Sequence, residues 1–143
     1  VVRVGLIKPG EVPSVLSYVV IAARYDDGWL FVRHRRRGGY ELPAGHPDRG
    51  EDSVQAAARE LAEETGAVDF VMEPLSYYFV ETLEGTQYGR LFLAEVERLG
   101  DITDNAEIEG VKVFRRLPRR LSLPEVMTFL YETARKYIRC IQC

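Results

Sequence analysis

Residues 45–67, "GHPDRGEDSVQAAARELAEETGA", constrain the fold more than any other stretch, because they specify a helix and a charge problem together. Asp52 can cap the helix, Gln55 can reach back to it, and Gly66 can take the left-handed closing position, which predicts a helix over Ser53–Thr65. At about 100° per residue, Glu60, Glu63 and Glu64 fall in one narrow sector, with Val54, Ala58, Leu61 and Thr65 on the opposite side. The expectation is a helix anchored by one side that presents acid on the other. Like charges at this spacing cost about a few tenths of a kcal/mol per pair, so something must compensate. A solvated polar face would tolerate the acids, and Arg59 could pair with Glu51 or hold a neighbouring carboxylate. Neither accounts for the small residues Ala56, Ala57 and Ala58, or for the Gly- and Pro-rich loop in front. A hard divalent cation held by carboxylate and carbonyl oxygens would relieve the repulsion.

Strand signals surround this helix. "VVRVGLI", "SYVVIAARY" and "WLFVRHR" are rich in β-branched and aromatic residues, with Asp26-Asp27-Gly28 as a hairpin turn. Alternation in the third of these puts Phe31, Arg33 and Arg35 on one face and Leu30, Val32 and His34 on the other. Beyond the helix, "VMEPLSYYFVETL" and "TQYGRLFLAEVERL" flank a Glu84-Gly85 turn, and "VKVFRRL" follows. Ser122-Leu123-Pro124-Glu125 reads as a capping box opening a last helix, whose apolar stripe is Val126, Phe129, Leu130, Ala134, Tyr137 and Ile138. Strands before, between and after two helices predict an α/β (α+β) sandwich with a central mixed sheet.

With 143 residues and 46% apolar content, the chain is expected to form a single domain over residues 1–143. A net charge of −3 argues against a nucleic-acid or membrane-surface partner, and no apolar run suffices to span a bilayer. The expected location is cytoplasmic, as a monomer or homodimer. Cys140 and Cys143 lack the further ligands of a zinc site and read as free thiols; His34 and His46 read as structural or loop residues.

The spacing Gly45, five residues, Glu51, seven residues, then "RELAEETGA" from Arg59 resembles the box of the Nudix hydrolases, which cleave nucleoside diphosphates linked to another group. Each fixed position is filled; Ala67 replaces the usual bulky aliphatic at the end. The resemblance implies an α/β/α sandwich in which "YELPAG" leads through a loop into the box helix, with the C-terminal helix on the far side. It implies Mg²⁺ or Mn²⁺ bound by Glu60, Glu63 and Glu64 with the Gly45 carbonyl, and supporting roles for Glu51 and Arg59. Catalysis falls to Glu63, Glu64 and Glu107, with Glu107 preferred as general base over Glu64 and Glu109. Arg33 and Arg35, from the dense basic run at 33–37, are expected to bind substrate phosphate.

The implied substrate is a small-molecule nucleotide. The short form with "RRRGGYELPAG" ahead of the box resembles the MutT-type enzymes that hydrolyse (deoxy)nucleoside triphosphates. "ELPAG" also resembles ADP-ribose and nucleotide-sugar pyrophosphatases, although Pro74 falls too early for the proline expected of them. A non-catalytic Nudix-like nucleotide-binding module is the alternative of another class; its metal-ligand positions would be broken, whereas these are intact.

Overall fold

Residues 19–23 are buried one after another, and a strand buried on both faces requires a layer above and a layer below it. The computed structural model, which describes residues 3–102 and 105–142, supplies both layers. Its elements are β1 (Arg3–Leu6), β2 (Tyr18–Tyr25), β3 (Gly28–His34), β4 (Tyr40–Glu41), β5 (Ala44–Gly45), α1 (Ser53–Thr65), β6 (Ala67–Thr82), β7 (Gly85–Leu99), β8 (Ile108–Phe114) and α2 (Pro124–Gln142). The strands form one sheet in the order β1-β6-β7-β2-β3-β4, with β5 also paired to β2 and β8 to β3. The β2–β7 pair is parallel and the other pairs are antiparallel, which makes the sheet mixed.

One sheet face packs Val19, Ile21, Leu30 and Phe92 against Ala56, Ala57 and Leu61 of α1. The other packs Val20, Phe31 and Leu91 against Met127, Leu130 and Tyr131 of α2. This is the α/β sandwich the sequence predicts. Alternation along β3 decides which chemistry faces which helix: Leu30 lies on the α1 side and Phe31 on the α2 side.

The β2–β3 turn has Asp26 and Asp27 at φ 51° and 60°, the type I′ geometry that matches strand twist. Gly28 is needed for another reason, since a Cβ there would strike the Phe114 carbonyl and the Val113 side chain.

Three expectations are corrected. The buried residues of α1 are Ala56, Ala57, Leu61, Glu64 and Thr65, while Val54 is 48% exposed. The acid sector therefore overlaps the packed side instead of opposing it. Ser122 does not open α2: its hydroxyl accepts the Gly39 N–H at 3.1 Å, and Leu123, at φ 49°, separates it from the helix. Strand β8 starts earlier than "VKVFRRL" suggests and stops at Phe114, opposite Trp29, where its partner β3 begins. No helix among the described residues is long and apolar enough to cross a membrane. Cys140 is exposed, and Cys143 lies outside the described residues.

Candidate active site

The helix start is built as its sequence requires. Asp52 accepts the Gln55 N–H at 2.8 Å, the Gln55 side chain accepts the Asp52 N–H at 3.1 Å, and Gly66 closes the helix at φ 79°. On the neighbouring sheet edge, β5 pairs with β2 through Val19↔Gly45 and Val20↔Ala44, which lays its backbone along α1. Gly45 approaches so closely that a Cβ would land on the Glu60 carboxyl group. One residue earlier, the Ala44 N–H donates to Glu64 Oε1 at 2.9 Å.

Arg59 supplies the counter-charge that the glutamates require. Its Nε and Nη2 clasp Glu51 at 2.8 and 2.9 Å, and Nη1 donates to Glu60 at 2.8 Å and to Glu63 at 3.3 Å. Nη2 also donates to the His46 carbonyl at 3.0 Å, which ties the loop to the helix. Glu51 additionally accepts the Asp48 N–H at 2.8 Å. One guanidinium thus locks loop and helix while leaving the acids in place.

The three acids differ in environment. Glu64 is 4% exposed, Glu60 is largely covered, and Glu63 is open to solvent. Burial pushes the Glu60 carboxyl up to about 7, against the pull of Arg59, with Glu64 and Glu63 adding to the rise. Hydrogen bonds from Arg59 and then from the Asp48 N–H hold Glu51 down at about 2. The same pairing with Glu51 raises Arg59 further above its ordinary value. Among the described residues, no three His, Cys, Asp or Glu side chains form a ready-made metal cage.

Two participants escape a reading of the sequence. His34, from the α1 side of β3, places Nε2 3.6 Å from Glu64 Oε2, and that contact raises its pKa. Arg37 donates to Glu41 at 2.6 and 3.1 Å; Glu41 is 3% exposed, and the charges of Glu64 and Glu107 also reach Arg37. Alternation had already grouped His34 with Leu30 and Val32, but only the layer order shows that this face meets α1. The Arg37–Glu41 pair has i,i+4 spacing but spans the turn between β3 and β4, so no helical pattern in the sequence points to it.

The remaining expected residues lie around this centre. Glu107 is exposed, its N–H bonded to Asn105 Oδ1 at 3.0 Å and its carbonyl accepting the Arg35 N–H at 3.0 Å. Glu109 stands 3.8 Å from Arg33. Strand β3 ends at His34 after a register shift, so Arg35 lies in an exposed turn and not on the face that strict alternation assigned to it. Arg33 shares the α2 side with Phe31, away from Glu60 and Glu64, and its buried Nε has no hydrogen-bond partner.

The sequence matches the NUDIX domain family over residues 15–134. It is 33% identical over 114 residues to YtkD of Bacillus subtilis (strain 168), provisionally assigned as an 8-oxo-dGTP diphosphatase, a match covering 80% of this chain and 72% of the relative. The fold is similar to that of a crystallised point mutant of the Bacillus subtilis pyrophosphohydrolase BsRppH, with a TM-score of 0.80, 26% identity, and coverage of 94% of this chain and 90% of that one. It is also similar in fold to the NUDIX domain of Shewanella oneidensis NrtR, solved with ADP ribose, at a TM-score of 0.64 and 22% identity, covering 92% of this chain and 94% of that one.

Proposed function

Since the chain belongs to the NUDIX domain family, we propose that it is a hydrolase cleaving the pyrophosphate linkage of a (deoxy)nucleoside triphosphate at the acidic face of α1. The observation that carries this reading is the convergence of Gly45, Glu60 and Glu64 beneath the Arg59 clasp. The intact acids favour an enzyme over a binding module, and the YtkD match favours a triphosphate over ADP-ribose.

The donor set suits a hard cation, because Glu60, Glu63 and Glu64 with the Gly45 carbonyl offer only oxygen. A divalent cation would also stabilise the charged form of Glu60, which burial disfavours. Mg²⁺ or Mn²⁺ bound there supplies neutralisation of pyrophosphate charge and polarisation of the attacked phosphorus. Glu51 and Arg59 keep loop and helix in register. Glu107 accepts the proton of the attacking water, with Glu64 as the competing base. Arg35, in the exposed turn beside the Glu107 backbone, offers its guanidinium to a substrate phosphate; Arg33, two residues earlier in β3 and on its α2 side, is less well placed for that role.

The test is a panel of nucleoside triphosphates, oxidised nucleotides, ADP-ribose and nucleotide sugars with Mg²⁺, analysed for products. Release of a nucleoside monophosphate with pyrophosphate, or stepwise release of phosphate, from a triphosphate is the expected result. Turnover of ADP-ribose or nucleotide sugars alone would move the reading to that class.

A further inference from the structure

A cleft of about 610 Å³ opens on the α2 side of the molecule, between the β2–β3 turn, the segment after β8, and the second half of α2. Arg24, Arg115, Arg116, Arg135 and Arg139 line it, opposed among the described lining residues by Asp27 and Glu132. Five guanidinium groups around one concavity are out of character for a chain of net charge −3. Three of them have partners: Arg24 lies 3.8 Å from Glu95 and over the Trp29 ring, Arg135 lies 3.5 Å from Glu132, and Arg139 is partnered as well. Arg115 and Arg116 are exposed, and neither guanidinium has an ion-pair or hydrogen-bond partner among the described residues. The floor is rigid, since Trp29 and Tyr131 are packed into the core with ring centroids 5.4 Å apart.

This cleft is separate from the acidic site. Trp29 lies near the start of β3 and His34 ends it, so the two are about 16 Å apart along the strand, at about 3.3 Å per residue. The cleft also opens on the α2 side of the sheet, whereas Glu60 and Glu64 belong to α1 on the other. Arg115 and Arg116 line a concave wall that three further arginines share, and the repulsion among like charges gathered there favours a counter-anion. Forked guanidinium donors match phosphate oxygens. The volume is that of a small-molecule site, and the acidic chain as a whole repels a long polyanion.

We propose that this cleft is a second anion site, which binds a small polyphosphate of the inorganic pyrophosphate class through Arg115 and Arg116. The test is calorimetric titration of the full chain with inorganic pyrophosphate in EDTA, so that no divalent metal bridges the anion to the acids of α1. Saturable binding of one equivalent is expected, weakened roughly tenfold or more in Arg115→Glu/Arg116→Glu. That variant should keep wild-type circular dichroism and unchanged hydrolysis of the nucleotide substrate. Arg119→Glu/Arg120→Glu, which reverses exposed charges outside the cleft, should bind within about twofold of wild type if site geometry and not general charge is responsible. Equal weakening in both double variants would overturn the proposal, as would unchanged affinity in the first. Tighter binding of a single-stranded RNA oligonucleotide than of pyrophosphate, lost in the Arg115/Arg116 variant, would overturn the ligand class in favour of a nucleic-acid surface. Failure of the nucleotide panel leaves this result independent, because binding is read without turnover.

Discussion

Arg59 holds Glu51 with two nitrogens and Glu60 and Glu63 with the third, so a single side chain ties three carboxylates of the site together. Glu60 and Glu51 respond to pH in opposite senses. The Glu60 carboxyl stands at about 7 in the folded chain against an ordinary value of 4.5, so the folded state binds the extra proton, and stability falls as pH rises through that window. Glu51, held at about 2, contributes stability above 4.5 that is lost as pH falls from 4.5 toward 2. In EDTA, Glu60→Gln should therefore raise Tm by a few degrees at pH 8 and change it little at pH 5, about 1 kcal/mol after solvent screening. Thermal denaturation at the two pH values measures the difference; equal shifts at both would show that Glu60 does not titrate in this window. Gly45 belongs to the same account, since its missing side chain is what lets the Glu60 carboxyl lie against the loop backbone.

At the scale of elements, the boundaries of α1 were legible because caps are local: Asp52, Gln55 and Gly66 act within a few residues of themselves. The buried side of α1 was not. Glu64 packs inward because β5 presents the Ala44 N–H and β3 presents His34, and neither neighbour is near it in sequence. The arginine run at 33–37 divides for a similar reason, as β3 stops at His34 and the following turn sends Arg37 to Glu41. Arg35→Ala is expected to lower kcat/KM roughly tenfold with little change in stability, the loss of a charge-assisted contact. Arg37→Ala should instead cost about 1–2 kcal/mol of stability, less than for a fully buried pair because Arg37 is half exposed. Paired kinetics and denaturant melts separate the two, and the reverse pattern would exchange their roles. For the segment before β8, Glu107→Gln should lower kcat about a hundredfold or more while leaving Mg²⁺ affinity unchanged; an unaltered kcat would return the base to Glu64 or Glu109.

For the whole molecule, the sheet is a partition. Its α1 side gathers buried acid beside a glycine-dependent approach, and its α2 side carries the arginine-lined cleft. The alternation of β2 and β3 creates this partition by sending successive side chains to opposite layers. The sandwich and the box helix could be read from pattern and spacing. The partition required the layer order, which no local run of residues encodes. Hydrolysis of nucleoside triphosphates in the presence of Mg²⁺ by the wild-type chain and by Glu64→Gln tests the assignment of chemistry to the acidic side most directly. The amide can still accept the Ala44 N–H, so the variant should remain folded, with kcat lowered about a hundredfold or more. A folded Glu64→Gln protein that turns over at the wild-type rate would contradict the placement of catalysis on this face of α1.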